Sequence, residues 1–256
     1  MSNVVDVKNL NWAYRNKEVL ENISFSVAQG EIITLMGVNG CGKTTLLNCL
    51  MGFLKVSKRT VYLCGKDIAD LSSIAKAQLV SYVSQNIDAN CLLTVYEYLS
   101  LGLIAHKKFY ELTNKVDKEH ITSCASKMNI HALLDKKMNE ISGGERQLAA
   151  ITRALIQDTP IIIFDEPMSA LDYKNQIKYL KVIDGLRKMG KTIIFSSHNP
   201  NHALSLKSKV CLLNDMKNLA VGESFYVLTK ENLMLVYGEE VDVICNGEKQ
   251  YCVFDL

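Results

Sequence analysis

The sequence predicts an α/β fold, and three features carry that expectation. Apolar runs at residues 32–36, 160–164 and 192–196 are short and nearly continuous, as in strands of a parallel sheet buried on both faces. Stretches of helical character lie between them, the alternation that joins parallel strands through helical crossovers. The first run, Ile32-Ile33-Thr34-Leu35-Met36, leads straight into a glycine cluster at Gly37 and then into a helical stretch.

Taken along the chain, apolar alternation over 4–12 and 19–27 predicts two strands ahead of that first run. Residues 44–51 predict a helix and 79–83 another buried strand. From about 86 to 153 the β-branched runs give way to Leu, Ala, Lys and Glu, as in 95–103 and 118–128, which predicts a helical insertion. Near the C-terminus, 241–245 and 248–254 flank Asn246-Gly247, the dipeptide suited to a two-residue type I′ turn, so a hairpin with its turn at those two residues is expected. No repeat of 20–50 residues and no long heptad run is visible.

Composition narrows the function. With 256 residues, 48% hydrophobic, 22% charged and only 3 Pro, the chain has the make-up of a globular core and not of a disordered or collagen-like one. No apolar run approaches the roughly 20 residues of a membrane helix, so work at a membrane would need a partner chain. The balance of 29 basic against 27 acidic residues does not point to a nucleic-acid surface. The 8 Cys form no C-x-x-C pair and residues 1–6 lack the basic and apolar regions of a signal peptide, so reduced, cytosolic thiols are expected.

Gly37-Val38-Asn39-Gly40-Cys41-Gly42-Lys43-Thr44 fits G-x-x-x-x-G-K-[ST] and stands after a strand and before a helix, where its mechanism needs it. Gly37, Gly40 and Gly42 let backbone N–H groups turn inward around phosphate oxygens, and the helix presents its positive end. Lys43 would reach the terminal phosphates, and Thr44, followed by Thr45 in the same run, would place a hydroxyl on Mg²⁺. Asn39 and Cys41 complete the loop. The Cys41 thiol, beside Lys43 and a helix end, is expected to have a lowered pKa. Further on, 161–164 is an apolar strand ending in Asp165-Glu166, which puts both carboxylates at the carboxyl edge of the sheet. Asp165 is expected to hold Mg²⁺, directly or through water, and Glu166 to act as general base on an attacking water.

Between these motifs stands Ile141-Ser142-Gly143-Gly144-Glu145-Arg146-Gln147, and with it the sequence resembles the ATP-binding-cassette (ABC) ATPases, whose signature is L-S-G-G-[EQ]-x-Q. Ser142, Gly143 and Gly144 open the helical stretch 145–155, so their bare N–H groups suit a γ-phosphate. Ser142 with Glu145 also reads as a capping box, and the two readings are compatible. Three residues depart from the family pattern: Cys41 for Ser, Ile141 for Leu and Met168 for Thr. None removes a required functional group.

The resemblance spans essentially the whole chain. It implies a P-loop NTPase core (1–85 and 154–240) with an N-terminal antiparallel β subdomain, a helical subdomain (86–153) carrying the signature, and a C-terminal β-hairpin (241–256). It implies ATP and Mg²⁺ as ligands, Tyr14 stacked on adenine, Gln85 as the Q-loop residue at the metal and the attacking water, and His198 as the switch histidine. Ser169-Ala170-Leu171-Asp172 resembles the D-loop, with Asp172 at the nucleotide interface. A second copy of the chain would sandwich two ATP molecules, each signature serving the other copy's ATP. Residues 71–85, 93–102, 198–203 and 236–238 resemble the cassettes of importers for iron–siderophore, haem, cobalamin and related metal chelates. That likeness implies transmembrane permease chains, indirectly a substrate-binding protein, no nucleic acid, and a place at the cytoplasmic face of the membrane. The alternative is a soluble cassette without a membrane partner, such as an iron–sulfur cluster assembly ATPase. Residues 241–254 match no catalytic motif and are expected to stand apart from phosphate chemistry.

Overall fold

A computed structural model describes residues 3–15, 17–85, 87–107, 114–168, 171–214, 217–238, 241–247 and 249–254. Strands β1 (Asn3–Tyr14) and β2 (Lys17–Ala28) form a long antiparallel pair, followed by the wholly buried β3 (Ile32–Met36) and helix α1 (Lys43–Met51). Short strands β4 (Val61–Leu63) and β5 (Lys66–Asp67) extend the first sheet, and α2 (Ser73–Ala77) leads to β6 (Val80–Val83). Three helices come next, α3 (Val95–Ser100), α4 (Lys115–Lys127) and α5 (Gly143–Ile156). The chain then alternates β7 (Ile161–Phe164), α6 (Tyr173–Lys188), β8 (Thr192–Ser197), α7 (Pro200–Leu206) and β9 (Lys209–Asn214). It ends with β10 (Lys217–Glu223), α8 (Ser224–Val227), α9 (Lys230–Tyr237), β11 (Val241–Asn246) and β12 (Lys249–Phe254).

The central sheet has the order β10-β9-β3-β8-β7-β6, parallel except for β10 at one edge. Its central parallel strands read as nearly continuous apolar runs because both faces are covered. Ile33, Leu35, Ile161, Ile163 and Ile194 pack toward β1, β2, β4 and α1, whereas Ile162, Phe164, Ile193 and Phe195 pack toward the layer containing α3 to α6. The two-residue period of a strand therefore builds two cores from one sheet. A third cluster joins Met36, Val210 and Leu212 to Leu228, Leu233, Val236 and Cys252 of the C-terminal elements. The sequence reading covers the α/β class and the buried strands, but not β9 and β10, whose antiparallel pairing makes the sheet mixed.

The terminal hairpin forms, with a corrected turn. Asn246 pairs with Lys249 inside the ladder, so the turn begins at Gly247, whose φ is +62°, one residue later than Asn246-Gly247 predicts. The reason is register. A turn on Asn246-Gly247 would pair Cys245 with residue 248 and Val241 with Cys252; the observed register lies two residues along, leaves the same side chains on each face, and extends the ladder to six pairs, from Asn246 with Lys249 out to Val241 with Phe254. Replacing Gly247 by Val puts a β-branched residue in the left-handed region, at a cost of at least about 1–2 kcal/mol. Amides of 241–254 in Gly247→Val should exchange faster with deuterium while the main melting transition stays in place.

Candidate nucleotide site

Parallel register brings the site together. Met36 pairs with Ser197, Phe164 with Phe195, and Val83 with Phe164, so the residues that follow β3, β8, β7 and β6 leave the sheet at one edge. Those residues are the glycine loop, His198, Asp165-Glu166 and Gln85, at the carboxyl edge where open α/β sheets bind ligands.

The glycine loop is pressed between two strands. A Cβ on Gly37 would lie 2.6 Å from both the Leu213 carbonyl oxygen and Cys41 Sγ, and one on Gly42 would lie 2.8 Å from the Val19 carbonyl oxygen. Only glycine lets the loop sit this close to β9 and β2. Lys43 is 5% exposed, and its Nζ donates to the Gly37 carbonyl (2.9 Å) and the Val38 carbonyl (3.1 Å) while lying 3.4 Å from Glu166 Oε1. Thr44 is exposed and Thr45 buried, while Asn39 and Gly40 are exposed on the loop's outer side. Cys41 contradicts its expectation. Its thiol is buried and burial pushes its pKa up, an effect that Lys43 opposes without reversing.

Asp165 and Glu166 are held by Ser196, a residue the sequence reading passed over. Ser196 Oγ donates to Asp165 Oδ1 (2.8 Å) and accepts the Glu166 N–H (2.7 Å). The clamp holds Glu166 at φ +40°, a left-handed conformation uncommon outside glycine that aims its side chain between Lys43 and His198. His198 Nδ1 lies 3.7 Å from Glu166 Oε2, with the imidazole half exposed. Val38, Asn39, Gln85, Glu166, His198 and Tyr237 line one open cleft at this edge. Tyr14 is exposed near the end of β1, edge-on to Trp12.

Ser142, Gly143, Gly144 and Glu145 line a different cleft, with Asp172, Asn175 and Gln85. The capping box is present: Glu145 Oε2 accepts from the Ser142 N–H (2.8 Å) and hydroxyl (2.7 Å), and those bonds hold the Glu145 carboxyl below its ordinary pKa. Asp172 caps α6 by accepting the Asn175 N–H (2.8 Å). Ser169 and Ala170 of the D-loop reading lie outside the described residues. Among the described residues Gln85 alone belongs to both clefts, and no residue of the signature lines the one that holds Glu166 and His198. The glycines differ as well. A Cβ on Gly144 meets nothing within 4 Å, and one on Gly143 meets only an Arg146 nitrogen at 3.8 Å.

Among the described residues no cluster of three His, Cys, Asp or Glu side chains could hold a metal by itself. All eight cysteines are free, and among the described residues no helix is long and apolar enough to cross a membrane.

Residues 20–169 match the ABC transporter family. The chain is 33% identical over 248 residues to the "Probable iron chelatin transport ATP-binding protein" of Helicobacter pylori, covering 96% of this chain and 97% of that one. It is 29% identical to the iron(3+)-hydroxamate import ATP-binding protein of Bacillus subtilis, over 99% of this chain and 96% of the relative. Among solved structures, "An inward-facing conformation of a putative metal-chelate type ABC transporter" superposes with a TM-score of 0.86 at 26% identity, over 99% and 97% of the two chains. The ADP form of another ATP-binding cassette superposes with a TM-score of 0.84 at 24% identity, over 94% of this chain and 100% of that one.

A second histidine, this one buried, braces the loop after β8. His202 Nδ1 lies 3.0 Å from Ser197 Oγ, which accepts the Asn199 N–H, and its Nε2 lies 3.4 Å from Gln176 Oε1. Gln176 Nε2 in turn donates to the Leu171 carbonyl (3.1 Å), so these bonds link the loops after β8 and β7. Burial, with a smaller contribution from His198, lowers the His202 pKa to about 4. The unfolded chain therefore binds a proton below about pH 6.5 that the folded one refuses until about pH 4. Stability should fall as pH drops through that window, by up to about 3 kcal/mol, and stay level with respect to this group below it. Urea unfolding of His202→Gln against the natural chain should show a flatter dependence between pH 4 and 6.5.

Proposed function

Since the chain belongs to the ABC transporter ATPase family, we propose that it is the ATP-hydrolysing subunit of an importer for an iron–siderophore or related metal chelate. It binds and hydrolyses ATP as that family does. The cargo class rests on the names of its relatives, which transport iron chelatin or import iron(3+)-hydroxamate. The cassette works as a pair of copies, closing over two nucleotides and driving a separate permease at the cytoplasmic face of the membrane, with a binding protein delivering cargo outside. Motion passes to the permease through the Gln85 region and the helical layer of α3 to α5.

The single observation that carries this reading is the buried Lys43 ammonium beside Glu166, at a loop too tight for any Cβ at Gly37 or Gly42. In water-poor surroundings such a cation binds terminal phosphates strongly. Tyr14 stacks on adenine, and loop amides from Gly37 to Thr45, Asn39, Gly40 and Cys41 among them, cradle phosphate oxygens. Thr44, Gln85 and Asp165 offer hard oxygens that would hold Mg²⁺, which spreads the phosphate charge when bound. Glu166 takes the proton of the attacking water, and His198 orients that water and the terminal phosphate. Ser142, Gly143, Gly144 and Asp172 complete the site from the second copy. The open space around Gly143 and Gly144 supports that role, because nothing within this chain requires glycine there.

Glu166→Gln removes the base and leaves Lys43 and the metal oxygens in place. Turnover should fall by at least about a hundredfold, in the range of a lost general base, with ATP affinity kept and a dimer trapped in Mg-ATP by sedimentation. Wild-type turnover in this variant would exclude Glu166 as the base. Lys43→Ala should instead lose at least about tenfold in ATP affinity by calorimetry, since a charged hydrogen bond contributes about 1.5–3 kcal/mol.

A further inference from the structure

The loop that carries His198 is tied to the C-terminal elements through Tyr237 and Asn201, which lie in the segments 236–238 and 198–203 named above but carry none of the nucleotide roles assigned so far. Tyr237, at the last turn of α9, donates its hydroxyl proton to the His198 carbonyl oxygen at 3.0 Å and lines the cleft with Glu166 and Val38. Three residues further along, in the first turn of α7, Asn201 makes two bonds to one residue of β12: its Oδ1 accepts the Cys252 N–H (2.9 Å) and its Nδ2 donates to the Cys252 carbonyl (2.9 Å). A side-chain amide paired to both backbone groups of one strand residue is a directional fit that any shift of the hairpin would break.

The elements making these bonds form one unit. Lys230 of α9 pairs with Asp242 of β11 at 2.6 Å, and Gln250 of β12 donates to the Leu228 carbonyl at 3.1 Å. Leu233, Val236, Val241 and Cys252 share the third apolar cluster with Met36, the residue immediately before Gly37. Packing thus joins this unit to the start of the glycine loop, and hydrogen bonds join it to the histidine loop.

We propose that α9 and the terminal hairpin form a strap that sets the position of His198, with the Tyr237 hydroxyl as its positioning group and Asn201 as its anchor. This rests on the placing of His198 at the terminal phosphate. Tyr237 acts through His198 and not on the nucleotide, because its single hydroxyl proton is already given to the His198 carbonyl. The segment 241–254, which the sequence alone sets apart from phosphate chemistry, thereby contributes to it at one remove.

The test is steady-state ATP hydrolysis by the full chain at fixed protein concentration. Tyr237→Phe keeps the ring and its packing and deletes one hydrogen bond, so kcat should fall about two- to tenfold with KM for ATP unchanged. In a His198→Ala background the same substitution should have no further effect, since its only route to the reaction is gone. Asn201→Ala should give the same kcat-only loss with faster deuterium exchange at 249–254, and it carries the test should Tyr237→Phe fail to fold. Wild-type kcat in a folded Tyr237→Phe, or a loss that adds to that of His198→Ala, would overturn the strap. A His198→Ala chain with undiminished turnover would overturn the assignment of His198 and the strap with it.

Discussion

A buried ammonium group is the constraint around which the site is organised. Lys43 is 5% exposed, and a cation removed that far from water needs compensation or it loses its charge. Two loop carbonyls and one carboxylate supply it, and they come from different crossovers: Gly37 and Val38 after β3, Glu166 after β7. Their meeting depends on the parallel register of β3, β8 and β7, and that register depends on the isoleucines and phenylalanines that fill both faces of the sheet. Without a nucleotide, Lys43 and Glu166 neutralise each other. Phosphate binding would take over the cation and leave Glu166 facing His198, so an electrostatic exchange would prepare the base at the moment it is needed.

The glycines of the two motifs solve opposite problems. Gly37 and Gly42 are small because neighbouring strands occupy the space a Cβ would need, and they shape the chain's own loop. Gly143 and Gly144 open onto empty space at the start of α5, at a helix end whose Ser142 cap is already satisfied by Glu145. A helix N-terminus with so little side-chain cover would suit the γ-phosphate proposed for it. Among the described residues the signature cleft and the cleft with Glu166 and His198 share only Gln85, so under the proposed function the two halves of phosphate recognition would lie on separate surfaces.

Much of this was legible in the sequence, for reasons that can be named. Strands buried on both faces announce themselves as apolar runs, and phosphate loops and helix caps need particular residues at fixed spacing. What was hidden depends on register and distance. Ser196 is an ordinary strand-end serine until β8 pairs with β7 and sets it beside Asp165 and Glu166. Tyr237 and Asn201 act through bonds spanning 39 and 51 residues, which no local pattern encodes. Cys41 misled because a helix end and a lysine lower a thiol pKa only where water can reach it; here burial dominates. The hairpin turn misled by one residue because the observed ladder takes in one more pair, Asn246 with Lys249, than a turn on the Asn-Gly dipeptide would leave.

If each ATP is held by Lys43 of one copy and Ser142 of the other, two inactive chains can repair each other. Lys43→Ala and Ser142→Arg homodimers each carry two defective sites, but a heterodimer places both lesions in one site and leaves the other intact. Mixing equal amounts should restore hydrolysis toward about a quarter of the wild-type rate, because half of a random mixture is heterodimer with one of two sites whole. No recovery, with heterodimers demonstrated by capture through a tag on one variant, would contradict the shared site.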